Sequence, residues 1–294
     1  MDHKKFNTPA GRVFDVVNLI ILGAMALVMI VPFIYVIAGS FASEYELSTR
    51  PFFLWPKEIS FEAYKTIFAT PAFLRSLLVT IGITIASTIV QLFFTFTFAY
   101  PLSRRHLKGR NLFLNMVIFC MLFSGGMIPT FLVIKGLGLI DSYWAMILPG
   151  AISPFNFMII KNSFQDMPVE LEESAKMDGC TEIGILWKIF LPLSKPIIAT
   201  FTLFYAVGTW NDFMTPLLYI NDSSKWPIQL LLRQITMSSA GLNGLETTLD
   251  PNYVPPEQGM KFAVIVVATL PILIFYPFLQ KHFTKGMMVG SVKG

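Results

Sequence analysis

The stretch that decides the fold is Asp166–Pro196, DMPVELEESAKMDGCTEIGILWKIFLPLSKP. It is a polar, charged interlude in a chain otherwise made of long apolar runs. Asp166 can cap a helix, with Pro168 in its first turn and Glu170, Glu172 and Glu173 where the helix dipole favours anions. Gly179 ends that helix. Thr181 can cap a second one, in which Ile183, Leu186, Trp187 and Phe190 recur at the spacing of a single apolar face. Pro192 and Pro196 close it.

On either side of this interlude the composition excludes a water-soluble domain. Of 294 residues, 54% are hydrophobic and only 14% charged, with a mean hydropathy of +0.62. A soluble domain carries about 25% charged residues. The chain therefore reads as an all-α polytopic membrane protein. Its net charge of +4 has a plain source in basic residues flanking membrane spans, so no nucleic-acid partner follows from it. Cys120 and Cys180 are isolated from each other, and His3, His106 and His282 sit beside basic residues at the ends of apolar runs. No disulfide framework or metal set is implied.

Six spans can be laid out. The first lies in the uncharged run Val16–Ser43, too long for a signal-peptide core and without a small-x-small cleavage site. A loop with several aromatics, Glu44–Arg75, precedes the second, within Ser76–Ser103. The Thr and Ser content of that span (Thr80, Thr84, Ser87, Thr88, Thr95, Thr97) suits contact between helices. The third falls within Asn111–Ile134, where Gly125, Gly126 and Pro129 predict an irregular or broken end. The fourth covers about Ser142–Ile160. After the interlude the fifth runs from about Pro196 to Tyr219, interrupted at Trp210-Asn211-Asp212. A polar loop, Ile220–Lys261, leads to the sixth, about Phe262–Gln280. Fourteen of the 22 Lys and Arg fall on the side that holds both termini, the interlude and the short basic turn Arg104–Arg110. The positive-inside rule makes that side cytoplasmic. The expected organisation is a cytoplasmic segment 1–15, a membrane domain 16–280 with a cytoplasmic loop 161–196 and an outer loop 220–261, and a cytoplasmic tail 281–294.

Periodicity alone lets the interlude lie in the lipid headgroups. Its acidic first helix argues for a protein partner instead, because an anionic leaflet repels it. Glu173-Ser174-Ala175-Lys176-Met177-Asp178-Gly179, followed at Ile189, Leu191 and Pro192 by I-x-L-P, resembles the EAA loop of ABC-importer permeases, with Ser174 in place of the first alanine. Phe123–Pro129, Trp210–Phe213 and Lys285–Gly294 are similar to carbohydrate-uptake permeases of the maltose-permease type, nearest the branch for oligosaccharides and uronate-containing saccharides. The resemblance covers the whole chain and implies the type I ABC importer permease fold.

That resemblance also implies partners and roles. The first helix of the EAA loop would dock on a cytoplasmic ATPase subunit through Glu172, Glu173, Ala175, Asp178 and Gly179, and the tail, at Gly286 and Gly290, would touch it too. The implied assembly has a second, different permease chain, two ATPase subunits, an extracytoplasmic solute-binding protein that the outer loop contacts, a saccharide and the surrounding bacterial cytoplasmic-membrane lipid. No phosphate-loop motif occurs, so ATP and Mg2+ would be bound by the ATPase subunits, and this chain is expected to be non-catalytic and free of cofactor or metal. Asn156, Trp210, Asn211 and Asp212 are candidates for the substrate path or its gate. A polar cap where the fifth span bends is the other reading of Asn211 and Asp212, and an interhelical hydrogen bond the other reading of Asn156. An ABC permease for a non-carbohydrate solute and a stand-alone channel or secondary carrier remain as rivals. The lack of charged pairs deep in the spans argues against proton coupling.

Overall fold

The computed structural model describes residues 9–237 and 257–286. Among these the structure is helical and contains no strand. In chain order the helices are α1 (Pro9–Ser40), α2 (Glu44–Thr49), α3 (Glu62–Ala69), α4 (Pro71–Ser103), α5 (Arg110–Leu122), α6 (Met127–Gly136), α7 (Trp144–Ile147), α8 (Pro154–Gln165), α9 (Val169–Met177) and α10 (Glu182–Ile185). A π turn, Leu186–Phe190, follows, then α11 (Leu191–Leu193), α12 (Lys195–Asn211), α13 (Met214–Tyr219), α14 (Ile228–Met237) and α15 (Glu257–Gly286). Three helices, Gly11–Ser40, Pro71–Ser103 and Glu257–Phe275, are long and apolar enough to cross a membrane. A fourth candidate is the pair Glu182–Leu193 and Lys195–Asn211, bent by 84°. Most large apolar side chains along α1 are exposed, Leu19 and Val28 at 72% each. Water would not tolerate so continuous an apolar surface, whereas hydrocarbon would.

The described chain divides into two compact units. One contains the chain up to Pro71 with Ile235–Ala268. Its core is Ala38, Ala42, Leu47 and Phe53 with Phe262 against them. The Tyr35 ring stacks on Phe52 at 5.5 Å and meets Phe262 edge-on at 5.5 Å. Gly39 permits this packing, since a Cβ there would lie 2.7 Å from the Phe262 ring. Glu46 is buried and organises the segment after α2. It accepts hydrogen bonds from the Lys57 N–H at 3.1 and 3.0 Å and pairs with Arg50. The aromatic stretch before the second span is therefore folded, with α2 and α3 inside it.

The other unit holds Ala72–Gln234 with the chain from Thr269. Its central element is α4, which buries a stripe that includes Thr80, Ser87, Thr88, Thr95, Phe96 and Ala99. The small hydroxyl side chains expected at helix contacts are used that way: Thr95 and Tyr205 share a 2.8 Å hydroxyl hydrogen bond between α4 and α12. The core gathers Phe96, Ala99, Tyr100, Phe157, Phe164, Ile185, Phe190 and Phe201.

The third apolar run breaks into α5 and α6, with Gly126 at φ 85° between them, where Gly125, Gly126 and Pro129 predict a broken end. Several other boundaries differ from the sequence reading, each for a local reason. The run 142–160 is not one helix. It breaks between α7 and α8 around Pro149 and Gly150, and α8 restarts with Ser153 as N-cap and Pro154 at its first position. Asp166 is not an N-cap, because α8 continues through Gln165 and Asp166 terminates it; α9 starts after Pro168. Thr181 does cap α10, accepting from the Gly184 N–H at 3.2 Å. The expected face of the second interlude helix is altered by the π turn, in which the Leu191 N–H bonds the Leu186 carbonyl. Pro192 has no N–H to continue an α pattern. The extra residue rotates the helix, so Ile185, Leu186 and Phe190 are buried while Ile183 and Trp187 are exposed. The segment after Ile220 is not merely a loop either. It contains α14, whose Ile228 and Leu231 are fully buried.

Candidate functional site

Two sites emerge, both within the unit built around α4. The first is a cavity of about 470 Å3 lined by α4, the α7–α8 break, α12, α13 and Pro227. Three of the four path candidates, Asn156, Asn211 and Asp212, line it together. Trp210 does not. It is 6% exposed and absent from the lining, and helical spacing sets it away from Phe204, Tyr205, Gly208, Thr209 and Asn211, the α12 residues that do line it. The aromatic surfaces in the cavity are instead Phe204 and Tyr205.

Sequence reasoning missed Gln91, Thr80, Ser153, Thr209 and Thr215 in the same wall. Gln91 was the findable one, as an isolated amide in the middle of an apolar span. Its Oε1 is buried without a hydrogen-bond partner. Gly150 makes room for it, because a Cβ there would stand 3.3 Å from the Gln91 amide nitrogen. Asp212 has a definite local task. Its Oδ1 accepts from the N–H groups of Met214 and Thr215, both at 3.1 Å, and so caps α13 where the fifth apolar run breaks. The polar-cap reading of Asp212 and its place on the cavity wall are both met by one side chain.

Asp212 is the only Asp, Glu, Lys or Arg among the lining residues. The remaining polar groups are amides and hydroxyls, suited to a hydroxyl-rich, water-like solute that both donates and accepts. The wall has no nucleophile paired with a base. Among the described residues no three His, Cys, Asp or Glu side chains converge on a metal position.

The second site is the interlude. Helix α9 ends in a Schellman motif: the Gly179 N–H bonds the Lys176 carbonyl at 3.0 Å and the Cys180 N–H bonds the Ala175 carbonyl at 2.9 Å. Gly179 takes φ 79°, and a Cβ added to it would meet nothing within 4 Å. The five docking candidates divide into two groups. Glu173, Asp178 and Gly179 are exposed. Glu172 and Ala175 are 4% and 5% exposed, because positions three apart share one stripe and that stripe packs on the chain's own core. The expectation that Ala175 lies on a free contact side is therefore corrected.

Glu172 is held by two cations. Arg104 Nη1 lies 2.6 Å from Glu172 Oε2, and Lys176 Nζ lies 2.6 Å from Glu172 Oε1. Lys176 also reaches Glu182 Oε1 at 2.8 Å. Its ammonium is pushed above the ordinary lysine range, first by the hydrogen bond to Glu172 and then by that to Glu182. Sequence reading counted Arg104 only toward membrane orientation. Its position one residue past a long helix was the sole signal for anything more. Of the tail residues, Gly286 is the last of α15, and Gly290 lies outside the described residues, as does 238–256 of the outer loop.

Membrane-length helices and a cavity walled by amides and hydroxyls are features of the membrane component of a transport system. The chain belongs to the family described as binding-protein-dependent transport system inner membrane component, which matches residues 5–289. It is 65% identical to Protein LplC of Bacillus subtilis (strain 168), over 99% of both chains. It is 55% identical to the polygalacturonan/rhamnogalacturonan transport system permease protein YtcP of the same organism, over 97% of this chain and 99% of that one. A crystal structure of a bacterial ABC transporter involved in the import of the acidic polysaccharide alginate aligns with a TM-score of 0.86 at 31% identity, covering 95% of this chain and 99% of the other. The family resemblance read from the interlude, the type I permease fold and the role as a membrane component of a binding-protein-dependent transporter are thus established.

Proposed function

We propose that this chain forms half of the path for an oligosaccharide in an ATP-driven importer. It pairs with a second permease chain, sits on two cytoplasmic ATPase subunits that bind ATP and Mg2+, and receives cargo from an extracytoplasmic binding protein. In this reading six segments cross the membrane, the broken runs α5–α6 and α7–α8 counting as one each, with both termini and α9–α10 cytoplasmic. ATP binding closes the ATPase dimer, α9 moves with it, and the cavity turns outward to accept the saccharide.

The observation that carries the cargo class is the cavity itself. Amides and hydroxyls from Gln91, Asn156, Thr209, Asn211 and Thr215 stand beside the Phe204 and Tyr205 rings. Sugars present hydroxyl edges and apolar C–H faces, and such a wall matches both. The saccharides named for the polygalacturonan/rhamnogalacturonan permease and the alginate importer point the same way. Glu173, exposed midway along α9, and Asp178 and Gly179, exposed at its end, support α9 as the docking element.

Proteoliposomes holding the permease pair, the ATPase and the binding protein test the proposal. Uptake of labelled oligosaccharide should require ATP and the binding protein together. Transport by this chain alone without ATP would favour a channel or carrier, and competition by amino acids or peptides but by no saccharide would change the cargo.

A further inference from the structure

The interlude is fastened to α4 by a closed circuit of contacts. Arg104, one residue past α4, pairs with Glu172 of α9 at 2.6 Å. Glu172 pairs with Lys176, and Lys176 with Glu182 of α10 at 2.8 Å. The Tyr100 hydroxyl, back on α4, donates to Glu182 Oε2 at 2.9 Å. The circuit closes through the Arg104 guanidinium, which lies 4.8 Å from the Tyr100 ring centre and 4.3 Å from that of Phe190 in the π turn.

The Arg104–Glu172 leg of this circuit is buried, whereas Lys176 and Glu182 are exposed, and the buried leg gives the circuit a mechanical property. Arg104 is 9% exposed and Glu172 4%. The Nε and Nη2 of Arg104 have no hydrogen-bond partner and are shut away from solvent, so Glu172 and the two aromatic faces are the main surroundings that stabilise its charge. Pulling α9 away from α4 would strip the buried guanidinium of its one carboxylate, while Glu172 would keep only Lys176 of its own helix, which is costlier than moving both segments together. An exposed ion pair would exchange its partner for water and transmit nothing.

We infer that Arg104 and Glu172 are positioning residues that make α4 a direct recipient of docking-helix movement, alongside α8 and α12, which join the interlude through the backbone. The inference rests on α9 being the element that the ATPase moves. Because α4 also carries Thr80 and Gln91 on the cavity wall, the circuit joins the two sites through one continuous helix. A chain of ion pairs and packed rings is one physical route for such coupling, and binding free energies couple reciprocally, so seating of the loaded binding protein should also shift nucleotide binding by the ATPase through it.

The test uses the whole reconstituted complex and the double variant Arg104→Met/Glu172→Gln. This removes both charges, so neither is orphaned, and leaves the Lys176–Glu182 pair in place. The readouts are melting temperature, saccharide imported per ATP hydrolysed, and stimulation of hydrolysis by the binding protein. Arg104→Met alone should lower both melting temperature and coupling. The double variant should recover the melting temperature while import per ATP and stimulation stay reduced by about five- to tenfold. Recovery of wild-type coupling along with stability would make the circuit a structural staple and overturn the inference. If the double variant does not assemble, Tyr100→Phe is read instead: a fall of about two- to threefold supports the inference, and an unchanged ratio overturns it. Gly179→Leu run in parallel separates the failures. If Gly179→Leu uncouples while the double variant does not, only the circuit fails; if Gly179→Leu leaves coupling intact, the docking assignment fails.

Discussion

Gly179 offers a perturbation whose effect on this chain and on a partner can be told apart. It occupies the left-handed position of the α9 Schellman motif at φ 79°, and no atom lies within 4 Å of where its Cβ would stand. Any L-residue there except Asn carries a backbone cost of about 1–2 kcal/mol. The open space means that side-chain size adds almost nothing within this chain. Gly179→Ala and Gly179→Leu should therefore melt at the same temperature, slightly below wild type, with Gly179→Asn between them and wild type. A docked ATPase subunit changes the comparison, since Leu would extend into its seat while Ala would barely project. In proteoliposomes Ala should retain most ATP-dependent uptake, and Leu should lose it while basal hydrolysis persists. Because both variants share the backbone cost, the difference between them reads the partner alone. Equal uptake by Ala and Leu would refute the reasoning, as would a Leu variant that melts well below Ala.

Three further outcomes follow from local geometry. Asp212→Asn keeps an acceptor for the Met214 and Thr215 N–H groups and should preserve assembly, whereas Asp212→Ala should lose about 1 kcal/mol of stability; a loss of uptake in the Asn variant at normal stability would show that the charge itself serves the cargo. Gly39→Val drives a side chain into the Phe262 ring, 2.7 Å from the Cβ position, and should destabilise by about 1–3 kcal/mol; an unchanged melting temperature would count against that packing. Lys176 is held above its ordinary value by Glu172 and Glu182. For a group raised in this way, the contribution is complete below the unfolded value near 10.5 and is lost only as pH climbs through the folded one. The melting difference between wild type and Lys176→Ala should therefore hold constant from about pH 7 to about pH 9.5; a difference that shrinks across that window would mean the ammonium is not so held.

Much of this architecture could be read from residue pattern alone, because long uninterrupted apolar runs have few alternatives to a membrane helix. The existence of α1, α4 and α15 follows from that pattern directly, although each helix starts before the expected apolar run, at Pro9, Pro71 and Glu257. It was less informative wherever a helix continues or stops on tertiary grounds. Nothing in the residues around Asp166 says whether the previous helix has already ended, and a π turn at Leu186–Phe190 shifts a face that ideal periodicity would place on Ile183 and Trp187. Helix α14 had a legible signal, with Ile228, Leu231, Leu232 and Ile235 at helical spacing, but its polar surroundings read as loop. At the cavity, Asn156, Asn211 and Asp212 announced themselves as polar residues in apolar runs, while Trp210 was chosen for its chemistry when only packing decides which way it faces. Arg104 and Glu172 lie far apart in sequence, so their pairing needed the fold.

The central claim is that the exposed end of α9 is seated on a separate ATPase subunit that drives it. A photo-activatable cross-linker placed at Glu173 in the intact complex tests this most directly, with yield compared between the nucleotide-free and ATP-bound states. The account predicts an adduct with the ATPase subunit in both states, its pattern changing when ATP binds. An adduct only with lipid, in a complex that still imports saccharide, would contradict it.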